Sequence, residues 1–175
     1  MTARAFGVST PRELLSRAEF EVGELEKLVS SCFVFEEEAK RRVGSVAATC
    51  ASTLWNIVDW LANSTDAATR AAVASAGLND YASIRDRVKA DSPALTLCWE
   101  ITNGDKHCEL VGYTLKMSQI ERASLSASSI LRPDQPLAFR FVPKIKTKAG
   151  ANISALDVYK DALAFWRNFF GGMGL

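Results

Sequence analysis

The residues best suited to chemistry lie in one short stretch, ITNGDKHCEL, which spans residues 101–110 and contains the only histidine of the chain. Histidine exchanges protons near neutral pH, so it often serves as the general acid or base of an enzyme. Asn103 and Lys106 lie close to His107 in the sequence. We therefore hypothesise that His107 is a general base or acid, that Lys106 assists it and that the amide of Asn103 binds a ligand.

The backbone conformation of this stretch decides whether these side chains can act together. Asn103-Gly104 is a common turn or helix-stop pair, and a histidine on a helix often only satisfies a carbonyl or a carboxylate. We favour a helix that continues through Gly104 to about Glu109, at a cost of about 1 kcal/mol relative to alanine. Trp99, Asn103 and His107 would then share one face, so Trp99 is a further candidate for ligand binding.

A long helix predicted over residues 35–63 carries the carboxylate that would orient the imidazole. Its opposite face holds small residues with Trp55 and Asp59, so we expect this helix to be packed on two sides. A carboxylate in such surroundings needs a polar partner, and we predict that Asp59 pairs with His107. Asp105 is the competing carboxylate, and a solvent-facing charge or an intersubunit ion pair is the alternative for Asp59. The predicted core face repeats every three or four residues: Val43, Ala47, Cys50, Leu54, Ile57 and Leu61.

Further helices surround this pair. The first opens at Thr10 with a proline and a capping box, and it ends near Val29. Two short helices are predicted over residues 66–77 and 80–90, with a glycine ending the former. Ser92-Pro93 then opens the helix that leads into the histidine stretch.

The last helix is the most apolar of the chain. It is predicted to begin at Ser154, where Asp157 completes a capping box, and to run to about Phe170. Residues 171–175 are predicted to be a flexible tail. Because apolar residues cover most of this helix, we expect the core or a second subunit to surround it.

Two strands are predicted between these last two helices, over residues 111–117 and 137–147, as a β-hairpin inserted before the C-terminal helix. Residues 124–136 between them read as a mobile loop, and residues 148–150 as a turn. The second strand has an apolar side and a basic side. Its basic ladder either protects an exposed edge strand or contacts the phosphates of a nucleic acid. The apolar side consists of Phe139, Phe141, Pro143 and Ile145, and the ladder of Arg140, Lys144, Lys146 and Lys148.

Composition limits the classes of fold and function. With 175 residues, 48% hydrophobic and 23% charged, the chain is expected to form one mainly α domain over residues 1–175. We predict a helical bundle of about four main helices with the hairpin at residues 111–147. No leader or membrane-length apolar run is evident, so we expect a cytoplasmic protein without a membrane partner.

Missing motifs exclude further classes. The sequence has no glycine-rich phosphate loop and no G-x-S-x-G elbow, which argues against the commonest nucleotide-binding and hydrolase motifs. It has no C-x-x-C pair and no recognisable spacing of ligands around His107. Neither a metal nor a cofactor is therefore expected.

Two motifs carry a resemblance to known proteins. Trp55-Asn56-Ile57-Val58-Asp59-Trp60 and Asn103-Gly104-Asp105-Lys106-His107 resemble a W…DW helix and an N…KH helix found in a group of small bacterial and phage proteins. Over residues 35–110 the chain is more distantly similar to the HEPN (higher eukaryote and prokaryote nucleotide-binding) class. That resemblance implies a helical bundle that dimerises and often cuts RNA without a metal.

The resemblance carries over residue by residue only in part. His107 matches the catalytic histidine, and Asp59 is a plausible match for the acidic residue on the preceding long helix. The HEPN pattern also has an arginine before the histidine, but its positions here hold Glu100, Ile101 and Thr102. Another cation would have to support the charge on a scissile phosphate, and Lys106 or the strand lysines are the candidates.

The sequence supports two hypotheses of different class. In the first, an HEPN-like domain binds RNA or a nucleotide near His107 and cleaves RNA without a metal: His107 takes a proton from a 2′-hydroxyl, Lys106 supports the phosphate and Asp59 holds the imidazole. In the second, the same polar cluster fixes a subunit contact in a non-catalytic, dimerising interaction module. A homodimer is expected in both. The candidate ligand-binding residues are Asn56, Trp99, Asn103, Arg140, Lys144 and Lys146.

Overall fold

The computed structural model describes residues 9–107, 120–130 and 137–175, and the side chains of residues 105–107 and 121–122 lie outside that description. The described chain is mainly helical, with a small antiparallel sheet before the C-terminal helix, as predicted. Among the described residues, four main helices are accompanied by two short helices, as the sequence predicted. In chain order the elements are α1 (Pro11–Ser30), α2 (Glu36–Ala62), α3 (Ala67–Ser75), α4 (Tyr81–Asp91), α5 (Pro93–His107), β1 (Ile120–Ile130), β2 (Ala138–Thr147), β3 (Asn152–Ser154) and α6 (Ala155–Met173).

Side-chain caps determine where two of the main helices begin. The hydroxyl of Thr10 accepts a hydrogen bond from the backbone N–H of Glu13, and the Glu13 carboxylate accepts one from the backbone N–H of Thr10, each at 3.1 Å. This is the predicted capping box of α1. The Ser154 hydroxyl accepts from the backbone N–H of Asp157 at 3.4 Å, so Ser154 caps α6 as predicted. The reciprocal bond to the Asp157 carboxylate, which would complete the predicted capping box, is not present among the described residues.

Helix α2 is the centre of the fold, because it contacts α1, α4, α5, α6 and β2. Its second face is covered as well: Ala51 and Trp55 are buried, and Ala48, Ser52 and Asp59 are half-buried. The expectation of packing on two sides is therefore confirmed along much of its length. Every residue of the predicted core face is buried, namely Val43, Ala47, Cys50, Leu54, Ile57 and Leu61.

Helix α6 is longer than predicted, and the prediction of a flexible tail at residues 171–175 is wrong. The helix continues to Met173, and Gly174 ends it in the left-handed conformation at φ +70°. Met173 and Leu175 pack against the core, and this burial outweighs the poor helix propensity of the glycines before them. The core covers most of the helix, and the fully buried Trp166 donates its indole N–H to the carbonyl of Leu54 at 3.0 Å.

The sheet has the strand order β1-β2-β3, and both pairs are antiparallel. Strand β2, predicted over residues 137–147, pairs with β1 along its length and with β3 from Lys144 to Lys146. It is therefore a central strand, and the interpretation of its basic ladder as protection of an exposed edge is wrong. The predicted turn after it is confirmed, with Gly150 at φ +89°.

Strand β1 corrects a second prediction. Residues 124–130 belong to the segment predicted as a loop, but they pair residue by residue with β2. Backbone pairing overrides the weak strand propensity of serine and alanine. Leu125 also anchors the strand on α2, because its Cδ1 lies 3.6 Å from the point at which a Cβ atom on Gly44 would stand. The predicted strand at residues 111–117 and the rest of the predicted loop, residues 131–136, lie outside the described residues.

Candidate functional site

Helix α5 is unbroken from Pro93 to His107, so the predicted passage through Asn103-Gly104 is confirmed. Trp99 and Asn103 are half-buried and lie one turn apart on the same face. The predicted end near Glu109 lies outside the described residues, and so do the side chains of His107 and Lys106. The catalytic roles assigned to those two side chains therefore stay predictions.

The carboxylate of Asp59 has a described neighbour on α4. Burial raises the pKa of the Tyr81 phenol, and the charge of Asp59 raises it further. Arg85 and a hydrogen bond with Trp55 act in the opposite direction. The half-buried Asp59 therefore belongs to a group of polar and aromatic side chains between α2 and α4.

The course of α2 and α5 gives no support to a pair between Asp59 and the histidine. The two helices are antiparallel, because Trp55 meets Trp99 at a ring-centroid distance of 6.2 Å while Ala48 and Gly104 line a common cleft further along. Asp59 lies one turn from this tryptophan contact, and the last residue of α5 lies two turns from it in the opposite direction. At about 1.5 Å per residue, the two positions are separated by about 18 Å along the helix axes.

Between α2, α4 and α5 lies a group of side chains that we call the aromatic–cation cluster, formed by Trp55, Tyr81, Arg85, Lys89 and Trp99. The Lys89 ammonium lies 3.0 Å from the ring centroid of Trp99 and 5.8 Å from that of Trp55. The Arg85 guanidinium lies 5.9 Å from the ring centroid of Tyr81. Burial lowers the pKa of Lys89, and the nearby charge of Arg85 lowers it further. Lys89 thus holds α4 on α5 and α2 through aromatic rings, whereas the contact of Arg85 with Tyr81 lies within α4.

The cluster changes the role expected for Trp99. Lys89 occupies the face of its indole, so that face is engaged within the chain rather than open to a ligand. Sequence analysis did not identify Arg85 and Lys89, although their spacing of four residues on a short helix places them on one face.

Asn56 points away from this cluster. It lines a polar groove between α1 and α2 together with Arg17 and Ser52, and Arg17 forms a 2.8 Å ion pair with Glu21. The structure therefore separates Asn56 from Trp99, which the sequence had grouped as ligand-binding residues.

The basic residues of β2 share the outer face of the sheet with serines. Residues paired directly across antiparallel strands project to the same side, and the pairs are Ser124 with Lys144, Ser128 with Arg140, and Lys144 with Ser154. The opposite face of β2 packs on the core. We call the outer surface the cation face and define it as Arg140, Lys144 and Lys146 with Ser124, Ser126 and Ser128. The inward-facing residues of β2 are largely as predicted, with Phe139 half-buried and Phe141, Pro143 and Ile145 buried.

Two cations of this face have no ionic partner among the residues that the structure describes, namely Arg140 and Lys144. Arg140 is exposed and Lys144 is half-buried. On the β3 side, Asp157 and Asp161 line a groove together with Lys144. An anionic ligand would therefore lie toward the β1 side, where serines replace carboxylates.

A buried carboxylate connects this sheet to α5. Glu100 is 1% exposed, and its carboxylate accepts a hydrogen bond from the backbone N–H of Ile120 at 2.8 Å. An apolar cleft of about 360 Å³ lies beside this contact, between α2, α5 and the sheet, with Gly104 and Ala123 among its lining residues. Glu100 occupies one of the positions at which the HEPN pattern has its arginine, and here it fixes the first residue of β1.

Comparisons with family models, curated proteins and solved structures gave no match to this chain. In the described part of the chain, no group of three or more His, Cys, Asp or Glu residues could hold a metal ion, and no helix is long and apolar enough to span a membrane. The geometry of the described residues is therefore the basis for a functional proposal.

Proposed function

We propose that this protein binds RNA through the cation face of its sheet. The observation that carries the proposal is the state of Arg140 and Lys144, which have no ionic partner in the described structure and lie beside rows of hydroxyl groups. Arginine, lysine and serine are the side chains that most often contact nucleic-acid phosphates. A phosphate backbone would supply the negative charge that this face lacks.

The shape and composition of the face favour an extended polyanion over a small metabolite. Ser126 and Ser128 are exposed and lie on a regular strand beside β2, so the polar surface extends along both strands. Pockets for small molecules are usually concave and mostly apolar. The defined face has no aromatic side chain for base stacking, so binding would depend on phosphate contacts and tolerate different sequences.

Cleavage is a separate question from binding. The contact between Glu100 and Ile120 fixes the start of β1 against α5. Whether His107 then cleaves RNA stays a prediction from the sequence. It is tested by incubating mixed RNA in chelator with the wild type and with His107→Ala, since equal absence of cleavage would exclude this role.

Binding is tested by the fluorescence anisotropy of a labelled single-stranded RNA of about 16 nucleotides. Affinity is measured between about 50 and 200 mM salt for the wild type and for the variant R140Q/K144Q/K146Q. The matched control is K40Q/R41Q/R42Q, which removes three positive charges from exposed positions near the start of α2. Both variants therefore have the same net charge.

We expect the slope of log affinity against log salt to fall by about 0.7 for each lost phosphate contact, and by about 2 for the triple variant of the cation face. The control should retain most of the affinity of the wild type. Equal losses in both variants would show that only overall charge matters, and they would contradict a defined site. Wild-type binding that does not weaken with salt would contradict phosphate contacts altogether.

A further inference from the structure

The second edge of β1 is the feature of the sheet that the proposed function does not use. One edge of this 11-residue strand pairs with β2, and the other has no strand partner among the residues that the structure describes. An edge strand presents a row of backbone N–H and C=O groups that another strand can pair with. Among the residues of the strand whose side chains are described, the exposed ones are Ala123, Ser126, Ala127, Ser128 and Ser129.

From Ala123 onward, strand β1 also lacks the features by which natural proteins block such edges. Charged side chains, prolines and bulges along an edge usually prevent pairing. The segment from Ala123 to Ile130 contains no charged residue and no proline, and the irregularity in its pairing lies before it, between Ile120 and Arg122. Its edge is regular and uncharged over eight consecutive residues.

We propose that β1 pairs antiparallel with β1 of a second copy of this chain, which joins the two sheets into one of six strands. Two identical strands can approach here because no like charges oppose one another. A pairing centred on Ser126 brings Ser124 opposite the partner's Ser128, so that serines face serines across the outer side. Hydroxyl pairs of this kind stabilise antiparallel strands, and the small side chains allow close approach.

The β1 pairing does not depend on RNA binding. Its consequence for RNA binding rests on the proposed function. A two-fold axis perpendicular to the sheet keeps the outer faces of both copies on the same side. The two β2 ladders would then lie three strand spacings apart, or about 14 Å, with a floor of serines between them. The acidic residues Asp157 and Asp161 would lie outside the two ladders, because they are on the β3 side. The pair would thus form one broad surface for a single polyanion.

Sedimentation equilibrium of the full chain, without RNA, tests the pairing. We expect the weight-average mass of the wild type to rise from 19.1 kDa toward twice that value as concentration increases. Ser126→Lys places two ammonium groups opposite each other, so it should weaken the dimer at least tenfold. Ser16→Lys, at an exposed position of α1, is the matched control and should associate like the wild type.

A charge-swap pair tests the register. In the variant S124K/S128E each lysine would oppose a glutamate of the second copy, so it should dimerise, whereas S124K/S128K should be monomeric. Circular dichroism of each variant verifies that its fold is retained. A wild type that stays monomeric, a Ser126→Lys variant that dimerises equally well, or two double variants with equal association would overturn the proposal.

The anisotropy experiment separates this proposal from the RNA-binding function. Concentration-dependent association without RNA binding would leave the β1 pairing standing and contradict the proposed function. Salt-dependent RNA binding by a strictly monomeric chain would do the reverse.

Discussion

The aromatic–cation cluster and the cation face both contain basic side chains, but they differ in what surrounds those charges. In the cluster, Lys89 lies over Trp99 of α5, and Arg85 lies over Tyr81 of its own helix. On the cation face, Arg140 and Lys144 lie beside serines and have no ionic partner in the described structure. A cation that already contacts aromatic rings stabilises the fold, whereas a cation without an ionic partner is available to bind a ligand.

The largest loss of stability is expected from a substitution in the aromatic–cation cluster. Trp55 is 4% exposed and contacts Trp99, so Trp55→Ala removes a large buried side chain and should destabilise the protein by about 3–5 kcal/mol. Urea unfolding monitored by far-UV circular dichroism measures this loss. The control is Val142→Ala, at a half-buried position on the outer side of β2, which should cost much less. Equal losses would mean that the cluster has no special role.

A smaller loss of stability is expected for the cation of the cluster. Lys89→Ala removes the ammonium above Trp99 and should cost about 0.5–2 kcal/mol. Lys89→Arg keeps a cation over the ring and should retain most of the stability. If both variants lose the same amount, the contact with the ring contributes nothing and the side chain acts only through its packing.

Substitutions on the cation face should affect RNA binding and leave stability nearly unchanged. The variant R140Q/K144Q/K146Q should change the free energy of unfolding by no more than about 0.5 kcal/mol per substitution, because Arg140 and Lys144 have no ionic partner among the described residues. The same variant should lose most of its salt-dependent RNA affinity. A strongly destabilised triple variant with unchanged RNA binding would contradict this expectation, because these side chains would then stabilise the fold rather than bind RNA.

The smallest expected effect is a loss of stability of α4 at acidic pH. Asp80 caps α4, and hydrogen bonds from the backbone N–H and the side chain of Ser83 lower its pKa. A carboxylate with a lowered folded-state pKa contributes stability above its unfolded-state pKa, about 3.9, and that contribution is lost as the pH falls through the lower folded-state value.

The tryptophan fluorescence of the folded protein should therefore change in acid as α4 loosens from Trp55 and Trp99. Asp80→Asn retains a neutral capping side chain, so this change should be smaller in the variant. Identical acid profiles for the two proteins would show that the charge of Asp80 does not contribute to holding α4 in place.

Local signals in the sequence predicted most of the helices. Thr10 with Glu13, and Ser154 before Asp157, act within one turn of chain, and the apolar repeat of α2 needs only helical periodicity. These predictions succeeded because the interactions behind them join neighbours in the sequence. The alternation of β2 was equally local, and it predicted correctly which side faces the core.

The predictions that failed depended on residues far apart in the chain. Residues 124–130 have the composition of a loop, and only pairing with β2 makes them a strand. The end of α6 has the glycines of a flexible tail, and only contact with the core holds Met173 and Leu175 in place. The predicted pair of Asp59 with His107 stays a prediction, because the side chain of His107 lies outside the described residues; the described neighbour of Asp59 is Tyr81 on α4.

The helix starts, the apolar faces and the alternation that puts cations on one side of β2 follow from local sequence alone, since each depends on periodicity and on hydrogen bonds across a few residues. Which cations contact other side chains depends on how the helices and strands pack together. Packing of α4 on α2 and α5 brought Lys89 onto Trp99, whereas the pairing of β2 between β1 and β3 left Arg140 and Lys144 among hydroxyl groups. The electrostatic environment of a charge depends on long-range neighbours, and folding alone brings those neighbours together.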